Sequence, residues 1–449
     1  MDTVLFISLL FALQVLYYLV GKKASPKSTE EDNDYFLAGK KVPFFPLMMT
    51  FVATLVGGGV ILGSAEEAYK SGWPILFYPL GAALGLIVLG LGIGRKLAEF
   101  KVSTVAQIFE VVYKSKLLQR FASTLSIISL FTTLIAQLVA SNRFLVSMGV
   151  TSTTLFVLFW AIVILYTARG GLRAVISTDF VQAAFFSLIF LSCGFIVWWG
   201  YGVPVVENVN FSSAKITGWF LMPLIFMIVG QDVGQRCFAG GSAKIVSRAT
   251  LFAGLLLIVI CIIPVYFGVL AKAYGMEIGE GSSVLMTAIS ALTNPYLTAI
   301  VGCAVLAAMI STVTSVINAI SSNIFTDFIK VKNMGVITTI TIVISLISVG
   351  FALYFNSIVD VMFFGYELSA CCLCVPLLFA LFKKNGDFFA ALFSALFGLA
   401  GFVIFRAVPL QFPREVLALL FSLSGFGIGT LFQRQLTSLF SSKEEIAEG

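Results

Sequence analysis

The sequence contains no histidine, and only 11% of its residues are charged. The commonest general base and a frequent zinc ligand are therefore missing, and no nucleophile motif, phosphate-binding loop or cofactor fingerprint is present. We expect a protein that is not an enzyme and that uses no organic cofactor. So small a charged fraction also argues against an ordinary soluble domain, in which about a quarter of the residues are charged.

Cysteine is scarce too, with seven residues in a chain of 449. All seven lie within or at the edge of apolar runs, so we interpret them as small residues of a membrane core. No pair lies in an outer loop, where a disulfide would form. The net charge of +6 comes with no basic patch or motif for nucleic acid, so a nucleic-acid partner is not expected.

Long apolar runs dominate the sequence, which is 59% hydrophobic with a mean hydropathy of +1.02. A helix needs about 20 apolar residues to cross a bilayer, and the chain has thirteen runs of roughly that length. They predict an all-α polytopic membrane protein with about 13 transmembrane helices in a lipid bilayer. The approximate runs are 3–21, 44–64, 72–94, 121–142, 152–168, 176–200, 217–235, 249–271, 294–323, 335–355, 357–382, 387–405 and 415–433.

The lysines and arginines are distributed unevenly between the two sides of this topology. With the N-terminus outside, 22 of the 28 fall on the inner side, and Arg236 is counted among these. Cationic loops resist translocation, so we predict a plasma (inner) membrane protein with the N-terminus outside and the C-terminus cytoplasmic. The first run lacks the basic start and cleavage site of a secretory signal, so we interpret it as a retained helix. The six outer cations are Lys70, Arg143, Lys215, Lys272, Arg406 and Arg414.

Two apolar runs are interrupted near their middle. The run at 44–64 contains three consecutive glycines, and the run at 217–235 contains Gly230, Gln231 and Asp232. Each glycine costs a helix interior about 1 kcal/mol, and buried polar groups need partners. Interrupted helices at corresponding positions of two five-helix halves predict an inverted-repeat transporter with its site at the midplane. The alternative is that the glycines only permit close helix packing.

An unwound helix releases carbonyl oxygens, which can coordinate a small hard cation such as sodium. Hydroxyls on the run at 294–323 would complete the shell, because residues four apart share one helix face. In the alternative interpretation these hydroxyls bond only to the carbonyl one turn back. The candidates are the carbonyls of Ala53, Val56 and Ala308 and the hydroxyls of Ser311, Thr312 and Ser315.

Asp179 lies about four residues into the run at 176–200, where an uncompensated carboxylate is expensive and usually functional. A bound cation would compensate its charge. The alternatives are an ion pair with Arg173 or a position at the level of the lipid headgroups.

Four segments give the chain a family resemblance: "DYFLAGKKV", "GGLRAVISTDFVQ", "GQDVGQR" and "AAMISTVTSVINAISS". From about Asp34 to at least Asp327 the sequence resembles the sodium:solute symporter family. The resemblance implies a LeuT-type fold in one transporter domain covering residues 1–449. The first repeat would cover 44–200, the inverted second repeat 217–382 and the C-terminal flanking helices 387–433. It also implies solute uptake driven by the sodium gradient through alternating access, and we expect a functional monomer.

By position, the resemblance also implies the ion ligands. A first sodium site would use the carbonyls of Ala53, Val56 and Ala308 and the hydroxyls of Ser311 and Thr312. Some members of the family hold a second sodium, for which the matching residues are Asp179, Thr314 and Ser315. One or two sodium ions per cycle are therefore expected.

The solute is expected between the helices that surround the two breaks. The segment "FFGYELSACCLCVPLLFALFKKNGDF" is more similar to the proline and pantothenate branch than to the sugar branch, and the three glycines also disfavour a sugar. Amides at the break would meet an anionic group. Glu367 would hold a cationic amine or be protonated and structural. The lining candidates are Gly57, Gly58, Gly59, Tyr78, Thr133, Gln137, Phe226, Gln231, Tyr366 and Glu367.

The prediction is thus a sodium-coupled carrier of a small organic solute such as an amino acid, pantothenate or a monocarboxylate. A proton-coupled carrier of the same fold is one alternative, and its transport would depend on Asp179 or Glu367. A membrane sensor that binds the solute without moving it is the other. A membrane enzyme would need a polar catalytic cluster near one surface, which the sequence does not contain.

Overall fold

The computed structural model describes residues 3–24, 32–206, 213–329, 333–355, 357–383, 386–408 and 412–448. Lys27, Lys330, Lys332 and Lys384, which contribute to the predicted orientation, lie outside these ranges. The described chain is helical almost throughout. Its α-helices are α1 (Thr3–Ala24), α2 (Asp32–Leu37), α3 (Phe44–Leu55), α4 (Ser64–Ser71), α5 (Phe77–Val88), α6 (Gly94–Glu99), α7 (Val105–Tyr113), α8 (Lys116–Ser147), α9 (Thr153–Tyr201), α10 (Ser213–Val229), α11 (Gln231–Ala239), α12 (Ala243–Ala273), α13 (Val284–Leu292), α14 (Pro295–Asn323), α15 (Met334–Ala352), α16 (Ile358–Phe382), α17 (Phe388–Ala407) and α18 (Arg414–Glu448).

Within the described ranges, ten helices are long and apolar enough to cross a membrane, or up to twelve if each of two bent pairs forms one span. One of the thirteen predicted runs, at 152–168, forms the helix Thr153–Ala168, which is too short to cross a membrane by itself. It continues into the next run as α9, whose backbone bends at Gly171 (φ 61°, ψ −178°). Glycine suits this bend, because a Cβ atom there would lie 2.8 Å from the carbonyl oxygen of Tyr35.

The two bent pairs are the two predicted interruptions. Phe44–Leu55 and Gly59–Ser71 meet at 53°, and Ser213–Val229 and Gln231–Ala239 meet at 42°. In the first pair the chain leaves helical geometry at Val56 (ψ 70°), and a π-helical turn at Gly59–Gly63 leads into α4. In the second pair the break is at Gly230, whose ψ of 129° is extended. The second break separates an apolar half of 17 residues from a polar one of nine, whereas the halves on either side of the first break are of similar length.

α14 is the most enclosed of the long helices. In its most apolar stretch 94% of the residues are buried inside the protein, whereas in α1 only 11% are. It packs against α3, α8 and α9, so the serines and threonines on its surface face protein rather than lipid. The core of the bundle therefore places a row of hydroxyls against the break in α3.

Close contact between α5 and α10 depends on Gly81, where a Cβ atom would lie 2.2 Å from the carbonyl oxygen of Phe220. We expect Gly81→Ala to lower the apparent melting temperature in detergent, because overpacking of this kind costs about 1–3 kcal/mol. The matched control is Gly350→Ala in α15, where no atom lies within 4 Å and alanine favours the helix. Equal melting temperatures for the two variants would contradict this account of the α5–α10 contact.

Candidate ion and solute site at the two helix breaks

The break in α3 changes the hydrogen bonding of its last turn. The N–H of Gly57 donates to the Leu55 carbonyl (3.0 Å) and not to the Ala53 carbonyl four residues back. The Ala53 carbonyl accepts instead from the hydroxyls of Ser311 (2.9 Å) and Thr312 (3.1 Å) on α14. Unwinding α3 therefore creates a contact between the two elements in which the sequence predicts a sodium site.

The same two hydroxyls also reach the Ala308 carbonyl, at 2.8 Å from Ser311 and 3.2 Å from Thr312. Each hydroxyl has one proton and two carbonyls within range, so its lone pairs remain available to a cation. Four of the five predicted oxygen donors are thus brought together. The fifth residue, Val56, begins the break, and its carbonyl accepts no backbone hydrogen bond among the described residues.

This oxygen cluster carries no formal charge, which suits a monovalent cation that needs only dipoles. No group of three or more histidine, cysteine, aspartate or glutamate side chains that would hold a metal ion occurs in the part of the chain that the structure describes. Ala53, Ala308 and Ser311 are fully buried and Thr312 is 3% exposed. An ion here would be shielded from lipid and would exchange water for protein oxygens.

Asp179 has a different cation partner from those predicted. Its Oδ2 lies 3.2 Å from Nη2 of Arg236, and both side chains are fully buried. It also accepts from the hydroxyls of Thr50 (2.5 Å) and Ser315 (3.3 Å). Asp179 is therefore not paired with Arg173. Arg236, which the predicted orientation counted as a cation of an inner loop, is buried instead. It lies within α11 in the interior of the protein.

The guanidinium of Arg236 joins four helices. It donates to Thr50 on α3 (2.9 Å), to Ser315 on α14 (2.6 Å) and to the Asp232 carbonyl on its own helix (2.8 Å), besides the pair with Asp179 on α9. A buried ion pair is stable only when such hydrogen bonds satisfy its remaining atoms. The cluster is neutral overall, and only Oδ1 of Asp179 is left without a partner among the described residues.

The three residues expected at a second sodium site do not converge. Ser315 reaches Asp179, but the Thr314 hydroxyl donates to the Ser311 carbonyl (3.0 Å). Thr314 lines a separate cavity between α1 and α9. Consecutive residues of one helix point about 100° apart, so only one of the two can face Asp179 closely.

The three glycines bring the backbone of the break against polar side chains. The N–H of Gly58 donates to Oε1 of Gln137 (2.5 Å). A Cβ atom at Gly57 would lie 2.5 Å from the Thr312 hydroxyl, and one at Gly59 would lie 3.1 Å from the Tyr78 hydroxyl. Glycine is needed here because helices α5, α8 and α14 approach the backbone itself.

Aromatic rings form one wall beside the break. Phe226 of α10 stacks on Tyr366 of α16 with centroids 4.1 Å apart, and Tyr78 lies edge-on to Phe363 at 5.2 Å. Phe363 is not among the predicted lining residues, although it lies three residues before Tyr366 and therefore on the same helix face. Thr133, which precedes Gln137 by four residues on α8, is also buried. Its hydroxyl bonds to the carbonyl of Ser129 in the same helix.

Two predicted solute residues lie elsewhere, and their placement corrects the prediction. The amide of Gln231 donates to the Ser103 carbonyl (3.1 Å) and accepts from the N–H of Val105 (2.7 Å), so it binds the start of α7. Glu367 pairs with Arg406 (2.7 Å) and Arg414 (3.1 Å). It is therefore neither a free partner for an amine nor an isolated protonated acid.

Some polar groups at the breaks have no partner in the described protein. The N–H groups of Gly59 and Val60 donate no hydrogen bond, and they lie at the start of the second half of the broken helix. The Oδ1 atom of Asp232, the second residue of α11, is buried and has no partner among the described residues. Buried polar atoms are rarely left unsatisfied, so these groups retain hydrogen-bonding capacity that nothing in the described protein uses. Asp232 was noted in the sequence only as part of the interruption.

Two broken helices among ten to twelve candidate membrane spans of the described chain are typical of the LeuT-type fold. Comparison with a solved structure agrees. A sodium-coupled sialic acid symporter in a substrate-bound outward-open state aligns with a TM-score of 0.75, covering 96% of this chain and 97% of that one at 17% identity. At that identity the likeness establishes the fold.

The family model described as the sodium:solute symporter family matches residues 35–217 and 205–398. The chain belongs to this family, and it is a multi-pass membrane transporter that takes up a solute with sodium. A Haemophilus influenzae sodium/pantothenate symporter is 23% identical over 95% of this chain and 94% of its own. A Drosophila melanogaster high-affinity choline transporter is 25% identical over 91% and 76%.

Removal of one predicted sodium ligand should weaken sodium binding without unfolding the protein. We expect Thr312→Ala to raise the sodium concentration for half-maximal uptake roughly tenfold, the effect of losing one bond to a charged group. Thr298→Ala on the same helix is the control, because its hydroxyl bonds to the Asn294 carbonyl at the far end of α14. The site assignment is wrong if both variants show the same sodium dependence, measured in proteoliposomes.

The Asp179–Arg236 pair can be tested with a double-mutant cycle. Arg236→Gln should lower stability by about 3–5 kcal/mol because it leaves a buried carboxylate uncompensated. Asp179→Asn combined with Arg236→Gln removes both charges and should recover most of the loss in apparent melting temperature. Arg406→Gln is the matched control, since Glu367 keeps Arg414. Additive effects of the two central substitutions would contradict the pair.

Proposed function

We propose that the protein moves one sodium ion and one small organic solute together from the outside to the cytoplasm. The observation that carries the proposal is the break in α3, where the Ala53 carbonyl faces α14 while the amides of Gly59 and Val60 remain unpaired. The ion would bind the oxygens of Ala53, Val56, Ala308, Ser311 and Thr312. The solute would bind on the other side of the same break.

A shared break gives a direct basis for coupling. Gly57 adjoins Thr312 on the ion side and Gln137 on the solute side. An ion that fixes the backbone here would pre-order the solute contacts, and the solute must strengthen ion binding by the same factor. Rocking of the two repeats, 44–200 and 217–382, would then expose both ligands to the cytoplasm.

We assign one sodium because Arg236 already supplies the positive charge at Asp179. A second ion there would have to displace the Arg236 guanidinium, which donates hydrogen bonds to α3, α9 and α14 and to the Asp232 carbonyl of its own helix. The hydroxyl of Thr314, the other residue of the expected second site, bonds to the carbonyl of Ser311 and not to the carboxylate. The same pairing argues against Asp179 as a proton carrier, and the two arginines at Glu367 argue against that residue in the same role.

The solute is proposed to carry a carboxylate and a hydrogen-bond donor. Unpaired N–H groups at the start of a half-helix favour an anion, and the free Oδ1 of Asp232 favours a hydroxyl, amide or amine. Stacked Phe226 and Tyr366 would cover an apolar part. Pantothenate has all three features, as does proline with its amine. A quaternary ammonium such as choline would leave the amides of Gly59 and Val60 unpaired.

The protein is proposed to work as a monomer in the plasma (inner) membrane. The N-terminus would lie outside and the C-terminus in the cytoplasm, in keeping with the uneven distribution of lysine and arginine. With that orientation the ion pair between Arg143 and Glu66 lies on the outer side of the site.

The test is uptake into proteoliposomes of labelled pantothenate, proline, short monocarboxylates, sialic acid, choline and glucose, under an inward sodium gradient and under potassium. We expect accumulation of a carboxylate solute with sodium only, and a Hill coefficient for sodium close to one. Thr314→Ala should leave the sodium dependence unchanged, whereas Thr312→Ala should shift it.

Each competing function gives a distinct result in the same assay. Saturable binding without accumulation under any gradient would identify a sensor. Accumulation that persists in potassium and follows a proton gradient would identify a proton-coupled carrier. A Hill coefficient near two with loss of sodium dependence in Thr314→Ala would establish the second ion and overturn the role assigned to Arg236.

A further inference from the structure

A buried carboxylate lies beyond the end of α14, outside the ion and solute site. The helix continues after Asn323 as a π-helical turn, Ile324–Ile329, which carries Asp327. Asp327 is 2% exposed, and it follows Ser311 of the ion site by 16 residues, or about 24 Å of helix. The distribution of lysine and arginine places this end of α14 on the cytoplasmic side. Turns of this kind often occur at functional sites.

Three neutral donors from two other elements compensate the charge of Asp327. Its Oδ1 accepts from the Thr104 hydroxyl (2.9 Å) and from Nε2 of Gln119 (2.8 Å), and its Oδ2 accepts from the Ser123 hydroxyl (2.7 Å). Within the described ranges it has no ion-pair partner. Hydrogen bonds to a charged acceptor are stronger than neutral ones, so the negative charge itself holds these groups together. These four residues are called the inner cluster below.

The start of α7 joins the inner cluster to the broken helix α10–α11. The hydroxyl of Thr104 donates to Asp327 and also accepts from the N–H of Gln107 (3.1 Å), so it caps α7. The next residue, Val105, donates its N–H to the side chain of Gln231, the first residue of α11. Two consecutive residues therefore connect the end of α14, which carries the ion-site hydroxyls, to the half-helix that follows the second break.

α8 joins the inner cluster to the other break. Two side chains near its start bond to Asp327, and one turn further Ser126 accepts from Nδ2 of Asn323 (2.8 Å). Toward its other end, Gln137 accepts from the N–H of Gly58 at the break in α3. One rigid helix thus bonds to the end of α14 at the inner side and to the backbone of the first break.

We propose that Asp327 is a positioning residue that keeps the cytoplasmic side closed while sodium and solute bind. Its charge holds α7 and α8 against the end of α14, and these bonds break when the inner side opens to release both ligands. This role rests on the proposed symport and its orientation. Sodium that binds better to the closed arrangement must stabilise the inner cluster. Weakening the cluster must in turn raise the sodium concentration that closes it, because fewer molecules are then ready to bind.

The test is hydrogen exchange of the full-length protein in detergent, followed by mass spectrometry of the peptide that contains residues 103–107. Sodium chloride replaces potassium chloride at constant ionic strength. We expect sodium to slow exchange of these amides in the wild type. Asp327→Asn keeps the size of the side chain but removes its charge, so it should raise the sodium midpoint about tenfold. Saturating sodium should still restore the protection of the wild type.

Three further variants make the test specific. Glu110→Gln removes the same charge from α7, but Glu110 bonds to no member of the inner cluster, so the sodium midpoint should not change. Ser123→Ala should raise the midpoint about fivefold in the wild type and have little effect in Asp327→Asn, because the two residues share one bond. Thr312→Ala should raise the midpoint without changing exchange in potassium alone, whereas Asp327→Asn should speed exchange in potassium as well.

Three results would overturn the role of Asp327. The first is an unchanged sodium midpoint in Asp327→Asn. The second is a loss of protection that saturating sodium does not restore, which would mean that Asp327 only stabilises the fold. The third is an equal shift in Glu110→Gln, which would mean a general effect of charge. If Thr312→Ala leaves the midpoint unchanged while Asp327→Asn still speeds exchange in potassium and shifts the midpoint, the role of Asp327 is supported and the proposed ion site is wrong.

Discussion

The fully buried guanidinium of Arg236 holds together the helices on which the site depends. It connects α11 to α3 through Thr50, to α9 through Asp179 and to α14 through Ser315. α3 and α14 are also the two elements that supply the oxygen cluster around Ala53 and Ser311. The spacing between α3 and α14 is therefore set on one side by a permanent ion pair and on the other by neutral oxygens. The proposed sodium ion would bind on the neutral side, where no side chain with a formal charge contributes to the oxygen cluster.

The break in α3 has two functions that glycine makes compatible. It releases the carbonyl of Ala53 toward α14, and it lets the side chains of Gln137 and Thr312 approach the backbone at distances that a Cβ atom would block. Helical stability is lost over a short segment, at about 1 kcal/mol for each glycine. Contacts from three surrounding helices compensate for that loss.

Local sequence patterns were sufficient to predict a polytopic helical membrane protein and its two broken helices. Glycine runs and serine or threonine at helical spacing made Ala53, Ala308, Ser311 and Thr312 candidate oxygen donors, and the resemblance to the family selected them as ligands. Partner choice over long sequence distances could not be predicted in this way. Asp179 and Arg236 are 57 residues apart, and an arginine near the end of an apolar run is normally assigned to a loop.

Gln231 and Glu367 illustrate the same limit. Each is a buried polar residue next to a predicted solute helix, which is why it was expected to line the site. Their partners lie 126 and 39 residues away, on α7 and on the segments around α17 and α18. Only tertiary packing decides which of several polar neighbours such a side chain meets. Burial and polarity in a sequence therefore indicate that a partner exists but do not identify it.

Gly230 separates two half-helices that are attached to different parts of the molecule. α11 is bonded through Gln231 to the start of α7 and through Gln235 to the Phe36 carbonyl and to Asn318 on α14. α10 instead carries Phe226, which stacks on α16. The extended backbone at Gly230 thus separates a half-helix bonded to α3, α7, α9 and α14 from one that packs on α16. Any displacement of α11 relative to α10 would therefore have to break these bonds or move the bonded helices with it.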